Sequence, residues 1–148
     1  MMEKIREHGS CFVCGKANPN RIGVEWYFDD GNHIEGSFIF TIHHQGPPGF
    51  VHGGASAAVL DEAMGASVWR AGFRAAAVNL NTTFIKPVPL EVRVQVIGEF
   101  IEKKDKHIFT QGEIRLPDGT VAVKSKGVYV EAPHLFNELT SHFEARQS

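Results

Sequence analysis

The chain has 148 residues, of which 43% are apolar, enough for one ordinary hydrophobic core and too few for two. Its formal charge of −2 comes from 15 basic and 17 acidic residues without a block of either sign, which disfavours nucleic acid or an anionic membrane as a partner. No run approaches the roughly 20 apolar residues that cross a bilayer, and residues 1–10 lack the apolar stretch of a secretory signal. We expect one cytoplasmic domain over residues 1–148 that acts on a small molecule, with no nucleic-acid or membrane partner.

The first part of the chain predicts a β-hairpin. Val24–Asp29 alternates apolar and polar residues as a half-buried strand does, and Asp30-Gly31 follows as a turn. From Ile34 to Ile42, apolar or small residues at every second position share one face of a second strand. Residues 43–49, rich in glycine and proline, then predict a loop.

A long helix is predicted from Gly53 to about Arg70, because good helix formers dominate there and no proline interrupts them. Its apolar side chains occur on almost every face, so we expect burial nearly all round. Four strand-like runs follow, at residues 75–85, 91–96, 108–116 and 121–130. Residues 132–148 form a tail with a predicted short helix near Leu135–Phe143. The simplest packing is an α+β fold in which an antiparallel sheet of about six strands wraps one central helix.

Residues 1–21 form an N-terminal segment that contains the only two cysteines, Cys11 and Cys14. Their spacing is poor for a structural disulfide and common in metal or redox sites. With His8 they offer three ligands, one short of a closed tetrahedral zinc site. A fourth ligand would have to come from a second subunit or from His43 or His44. We therefore expect no metal and no cofactor, with a zinc site at Cys11 and Cys14 as the open alternative.

Asp61 interrupts the apolar pattern of the helix. Aspartate is a poor residue for a helix interior, and burial of its charge is costly unless the charge is paired or the pKa shifts. Asp61 is therefore either a structural ion pair or cap, or a functional carboxylate. Glu62 lies about 100° further round the helix, where we expect it to face the sheet rim or solvent.

The helix begins at His52-Gly53-Gly54, where two glycines let backbone N–H groups approach a ligand closely. The helix dipole favours negative charge there, as an oxyanion hole for a carbonyl under attack requires. Asp61 lies eight residues after Gly53, or roughly 12 Å along the helix axis. One thioester carbonyl cannot contact both, so joint action requires at least a dimer with two helices side by side.

Several of these motifs together resemble the PaaI-like and Them4-like groups of the hotdog-fold acyl-CoA thioesterase superfamily. The resemblance covers the element order over about residues 10–131, and the opening Cys11–Gly15 is similar to that of bacterial members. The motifs that carry it are Gly46–Gly54, Asp61, Asn79-Leu80-Asn81 and Lys86-Pro87.

The resemblance implies that a homodimer, or a tetramer made of two dimers, hydrolyses an acyl-CoA thioester to a free acid and CoA. Asp61 corresponds to the catalytic carboxylate, as general base or nucleophile. Gly53 corresponds to the oxyanion amide, with Gly54 beside it, and His52 to a residue that orients the thioester or fixes the loop. Where several relatives carry serine or threonine, this chain has Ala77.

The strand after the helix and the strand after the proline turn line the CoA groove in relatives. This implies substrate contacts from six residues: Asn81, Thr83, Ile85, Lys86, Lys106 and His107. Lys103, Lys104 and Lys106 form either an ordinary solvated turn or a grip on the CoA phosphates. The residues predicted to line the acyl chain are also typical of plain core: Val59, Met64, Val68 and Trp69.

Two other functions fit the same fold. A non-catalytic acyl-CoA-binding module would keep the groove without needing Asp61, so retention of a costly carboxylate favours the hydrolase. A dehydratase or hydratase needs a base at the α or β carbon of the acyl group. His52 is the only candidate for that base, and it lies ahead of the glycines rather than on a separate loop.

Overall fold

The computed structural model describes residues 2–136, which form one long helix and a seven-stranded sheet. Helix α1 spans Gly53–Arg70. The strands are β1 Glu3–Lys4, β2 Tyr27–Phe28, β3 His33–Ile39, β4 Ala75–Phe84, β5 Arg93–Lys104, β6 His107–Arg115 and β7 Val121–Glu131. Two 3₁₀ turns span Ile42–His44 and Pro133–Phe136.

The sheet is antiparallel throughout and has the order β1-β2-β3-β5-β6-β7-β4. Helix α1 packs mainly against β5 and β6, near the middle of the sheet. Strand β4 follows the helix in the chain but lies at the far edge, where β7 is its only strand partner among the described residues. This arrangement confirms the predicted α+β hotdog architecture, and within residues 2–136 it leaves the other edge of β4 unpaired.

Only one face of α1 is fully buried among the described residues, and most of the rest is half-buried, so burial is less complete than the predicted burial nearly all round. The buried residues recur every three or four positions: Ser56, Val59, Leu60, Ala63, Met64, Ser67 and Val68. Val59, Met64 and Val68 are therefore core. The opposite face carries small, half-buried residues such as Ala58 and Gly65, and these leave room for a cavity above the helix.

Glycines on neighbouring strands let α1 approach the sheet closely. A Cβ on Gly98 would lie 2.4 Å from the carbonyl carbon of Ala63, which is backbone and cannot move aside. On β6 and β7, a Cβ on Gly112 or Gly127 would lie 3.3 Å from the Met64 side chain. The position of the helix, and of every side chain that it carries, depends on these contacts.

The predicted strand Val24–Asp29 is shortened to Tyr27–Phe28. Val24 and Trp26 are buried as the alternation indicates, but their backbone pairs with the N-terminal segment through single hydrogen bonds rather than a continuous ladder. Val24 N–H donates to the Val13 carbonyl, and Ile5 N–H donates to the Trp26 carbonyl. The alternation of apolar and polar residues indicates which side chains are buried, but not which segment the backbone pairs with.

The C-terminal part of the described chain ends in the 3₁₀ turn Pro133–Phe136, whose Phe136 ring packs edge-on against Trp69 at 5.2 Å between centroids. The rest of the predicted helix near Leu135–Phe143 lies outside the described residues. Among the helices of residues 2–136, none combines the length and hydropathy that crossing a bilayer would require.

Candidate active site

The first turn of α1 presents one unpartnered backbone donor. His52 caps the helix: its Nδ1 accepts the Gly54 N–H at 2.8 Å, and its carbonyl accepts the N–H groups of Ala55 and Ser56. The Gly53 N–H donates to no atom of residues 2–136. Of the two predicted oxyanion amides, Gly53 is thus available and Gly54 is engaged by the cap.

The cap also limits what His52 can do. A ring nitrogen that accepts a hydrogen bond carries no proton, and this one is directed at the helix backbone rather than at a substrate. The His52 N–H donates to the His44 carbonyl at 2.8 Å, which fixes the loop from the other side. These contacts favour fixing the loop among the two roles expected of His52, and its Nδ1 is not free to serve as a dehydratase base.

The loop before the helix fits tightly around His52. A Cβ on Gly46 would lie 2.8 Å from the His52 Cα, so only glycine allows this approach. Val51 N–H donates to the Val88 carbonyl at 2.9 Å, and Phe50 forms an isolated bridge with Pro89. On the other side, a Cβ on Gly53 would lie 3.2 Å from the Phe84 ring of β4.

Asp61 lies on the open face of α1 and is half-buried, so its carboxylate is less desolvated than the sequence suggests. The Tyr129 hydroxyl lies 2.8 Å from Asp61 Oδ1 and 2.9 Å from the Asp61 carbonyl, and its proton can go to either. Burial first, and then the Asp61 charge, raise the pKa of Tyr129 well above its usual value. The hydroxyl therefore remains a donor that orients the carboxylate.

Glu62 does not face solvent, so that alternative is wrong, and its partner Trp26 directly precedes β2, near the β1 edge of the sheet. Its side chain is only 12% exposed, because the N-terminal segment packs over this part of the helix. Glu62 Oε2 accepts the Trp26 Nε1–H at 2.5 Å, and Oε1 accepts the Cys11 thiol at 2.7 Å.

The predicted trio His8, Cys11 and Cys14 does come together, but neither His43 nor His44 joins it as the fourth ligand. His44 Nδ1 instead accepts the Thr41 N–H at 3.0 Å, and burial, followed by the charge on His43, lowers the pKa of His44. The fourth side chain of the cluster is Glu62.

Hydrogen bonding within the cluster shifts the pKa values of its members. The neighbouring Cys14 lowers the pKa of the Cys11 thiol, and burial opposes that shift. The neighbouring Cys11, and then Glu62, raise the pKa of His8 to about 10. The neighbouring Cys11 and burial raise the pKa of Cys14.

Two cavities flank α1, and they separate the ends of the predicted site. A cavity of about 660 Å³ contains Asp61 and Tyr129 and is lined by apolar residues that include Trp69 and Phe136. A second cavity of about 700 Å³ contains His52 and Gly54, with polar residues of the preceding loop. Asp61 and the helix N-terminus of one chain thus face different spaces.

The predicted CoA-contacting residues on β4 lie on the sheet face away from the helix. Asn81 and Thr83 pair with Lys126 and Lys124, whose exposed side chains alternate with the buried Ser125. The two lysines carry positive charge beside the predicted groove, and the sequence reasoning missed them. Their alternation along a strand was the available signal.

The remaining predicted contacts fall at both ends of the sheet. Ile85 and Lys86 follow β4 and are exposed, with both N–H groups bonded to the Ala122 carbonyl. Lys106 and His107 lie at the turn between β5 and β6, roughly 20 Å along the strands from Thr83. The single chain therefore does not bring the six residues into one groove.

The basic cluster at that turn is largely neutralised. Lys103 Nζ lies 3.0 Å from a Glu131 carboxylate oxygen, and Lys104 Nζ lies 3.3 Å from Glu102. Of the three lysines only Lys106 forms no ion pair within residues 2–136. This favours an ordinary solvated turn for Lys103 and Lys104.

The Thioesterase superfamily family model matches residues 48–123. The acyl-coenzyme A thioesterase THEM4 of Mus musculus is 36% identical over 98 residues, which is 66% of this chain and 40% of the relative. The acyl-coenzyme A thioesterase THEM5 of Homo sapiens is 32% identical over 88 residues, 59% of this chain and 36% of the relative. The chain thus spans less than half the length of these two relatives.

Solved structures agree with the fold. The thioesterase superfamily protein RHA08564 superimposes with a TM-score of 0.80 at 32% identity, over 82% of this chain and 60% of that one. The E. coli PaaI protein superimposes with a TM-score of 0.70 at 14% identity, over 75% of this chain and 80% of that one, a likeness of fold alone. Because the family model covers just over half of the chain, including all of α1 with Gly53 and Asp61, the chain belongs to the thioesterase superfamily.

Proposed function

We propose that this chain hydrolyses acyl-CoA thioesters at sites shared by two copies. The Gly53 amide of one copy holds the carbonyl oxygen, and Asp61 of the other drives the attack. The observation that carries the proposal is an unpartnered N–H at the start of α1, with a tyrosine-held carboxylate on the same helix facing a separate cavity. Acyl-coenzyme A thioesterases among the relatives support the substrate class.

The free edge of β4 supports assembly through this strand. Its exposed apolar side chains include Val78 at 60% and Phe84 at 55% exposure, with Leu80 between them. An exposed apolar edge strand of this kind favours pairing with a second copy. Two sheets joined edge to edge by a twofold axis would place their helices side by side, as the estimate of roughly 12 Å from Gly53 to Asp61 requires.

In the proposed reaction the thioester carbonyl oxygen accepts the Gly53 N–H, where the helix dipole stabilises the negative charge that develops. Asp61 either removes a proton from the attacking water or attacks directly to form a mixed anhydride, which water then hydrolyses. Either route releases the CoA thiol and the free acid. Tyr129 keeps the carboxylate aimed into the cavity.

The test is an assay of thiol release from a panel of acyl-CoAs, read with a thiol-trapping dye. Asp61→Asn keeps the shape of the side chain and removes the base, so we expect kcat to fall roughly 10²- to 10⁴-fold. Wild-type turnover by this variant would contradict the assignment of Asp61. Binding of acyl-CoAs by the wild type without release of thiol would support the non-catalytic module instead.

The amide of Gly53 is tested with a matched pair of variants. Gly53→Pro removes the N–H and suits the backbone, because proline is tolerated at the first helical position and His52 already has the extended backbone that proline requires before it. We expect kcat to fall roughly 10²- to 10³-fold. Gly53→Ala keeps the amide and brings a similar Cβ against Phe84, so its kcat should fall much less. An equal fall in kcat for the two variants would contradict the role of the amide.

A further inference from the structure

His8, Cys11, Cys14 and Glu62 converge beside the Asp61 cavity, and the proposed hydrolysis uses none of them. Each offers one ligand atom, and these four atoms all lie within 4.8 Å of one another. Three come from the N-terminal segment and the fourth from α1. We propose that these four side chains bind one Zn²⁺ ion that fastens the N-terminal segment to the helix.

The distances between the ligand atoms suit a tetrahedral zinc site. Zinc bonds of about 2.3 Å to sulfur and about 2.0–2.2 Å to nitrogen and oxygen place neighbouring ligand atoms roughly 3.4–3.8 Å apart. Cys14 Sγ lies 3.5 Å from His8 Nδ1 and 3.3 Å from Glu62 Oε1. His8 Nδ1 lies 3.7 Å from Glu62 Oε1. Cys11 Sγ, 2.7 Å from Glu62 Oε1, would have to move outward from that oxygen by roughly 1 Å.

The turn that carries the two cysteines is built tightly around their sulfurs. Gly15 N–H donates to the Cys11 carbonyl at 2.9 Å, and a Cβ on Gly15 would lie 2.2 Å from the Cys11 nitrogen, so only glycine closes this turn. Val13 N–H donates to Cys11 Sγ at 3.4 Å, a contact that favours a thiolate ligand. Cys11 N–H donates to the His8 carbonyl at 2.7 Å, which ties the histidine to the same turn.

Glu62 is oriented for this role by Trp26, whose indole N–H binds Oε2 and leaves Oε1 directed at the other three side chains. Partners of this kind fix the ligands of metal sites. A carboxylate so far from solvent is stabilised by a cation at its free oxygen. Sulfur and imidazole ligands at tetrahedral spacing favour Zn²⁺ over Mg²⁺ or Ca²⁺, which prefer sites built from oxygen.

Zinc content tests the proposal directly. Protein purified from zinc-supplemented cells and dialysed to remove loosely bound metal is expected to hold one zinc per chain by mass spectrometry of the metal. Binding displaces the thiol protons, so Co²⁺ in the same site should give thiolate-to-metal charge-transfer absorption and the intense visible bands of tetrahedral cobalt. Wild-type protein that retains no zinc and gives no such bands would overturn the proposal, as would a disulfide between Cys11 and Cys14.

Two neighbouring carboxylates provide a matched comparison. Glu62→Gln can still accept from Trp26 but is a poor zinc ligand, so stoichiometric zinc should be lost. Asp61→Asn should lose turnover and keep its zinc, which separates a failure of this proposal from a failure of the proposed hydrolysis. One zinc per chain in a folded Cys11→Ser, Cys14→Ser double variant would place the metal elsewhere and overturn the assignment.

Trp26→Phe tests how Glu62 is held. Loss of the indole donor should weaken zinc binding roughly 10- to 100-fold, measured by competition with a chelating dye. Far-UV circular dichroism confirms that the variant is folded. Unchanged affinity in the folded variant would contradict the proposed orientation of Glu62.

Discussion

Asp61 and Glu62 are adjacent in the chain and have different surroundings because one residue turns the helix by about 100°. Asp61 faces the cavity and the Tyr129 hydroxyl, whereas Glu62 faces Trp26 and the cysteine turn. The sequence identified Asp61 because a carboxylate is unexpected within an apolar helix. It could not place Glu62, because the segment that covers Glu62 arrives from more than 40 residues earlier in the chain.

Tyr129→Phe tests whether the hydroxyl positions Asp61. The ring packing is preserved and one hydrogen bond to a carboxylate is lost, so we expect kcat to fall about 10-fold with little change in KM. The measurement is steady-state kinetics with an acyl-CoA that the wild type hydrolyses. Tyr27→Phe, which removes a hydroxyl on β2, is the control; a raised KM with unchanged kcat in Tyr129→Phe would argue against positioning.

His44 makes the stability of the loop sensitive to acid. Burial, then the charge on His43, lower the pKa of the folded side chain, and its Nδ1 accepts the Thr41 N–H. Unfolded histidine titrates near 6.5, so below that pH the unfolded chain binds a proton that the folded chain resists. His44 therefore adds to the free energy of unfolding above about pH 6.5, and this contribution declines as the pH falls through that value.

His44→Asn checks this sign, because an amide oxygen can replace Nδ1 as acceptor and does not titrate. Urea unfolding of both proteins is measured from about pH 7.5 to about pH 5.5. The free energy of unfolding should decline less in the variant than in the wild type. Parallel curves for the two proteins would exclude His44 as a source of the acid sensitivity.

At the scale of elements, the helix was the most predictable part. Its start at Gly53 follows from the capping histidine and the glycine pair, and its end at Arg70 precedes Gly72, which has a positive φ of 100°. Strand β1, Glu3–Lys4, could not be predicted, because two polar residues show no alternation and pair only once β2 is in place. The predicted strand Val24–Asp29 was too long for the opposite reason: Val24 and Trp26 alternate and are buried, but they lie outside the continuous ladder of β2.

Gly98→Ala tests the close approach of helix and sheet. The new methyl group would meet the Ala63 backbone at 2.4 Å, so we expect the free energy of unfolding to fall by about 1–3 kcal/mol. Chemical denaturation measures the change. Gly31→Ala is the control: its Cβ would be 3.5 Å from the nearest atom, the Asp29 carboxylate, and the change should stay within about 0.5 kcal/mol. Equal effects would contradict the packing argument.

At the scale of the molecule, the sequence already supports the proposal of a shared site, because helix geometry alone separates Gly53 from Asp61 by roughly 12 Å. It could not indicate which surface a second copy would use. The proposed attachment through β4 draws on the sheet order, which places β4 at the edge with Val78 and Phe84 exposed. It could not foresee that the expected CoA contacts fall at opposite ends of the sheet, since register is a tertiary property.

Subunit mixing tests the shared site most directly. Asp61→Asn and Gly53→Pro should each be nearly inactive alone, but a mixed dimer contains one site with an intact Asp61 and an intact Gly53 amide. After full exchange at equal amounts, verified by co-purification of two different tags, thiol release from acyl-CoA should recover to about a quarter of the wild-type rate. Verified mixed dimers that are no more active than the separate variants would contradict a site built from two copies.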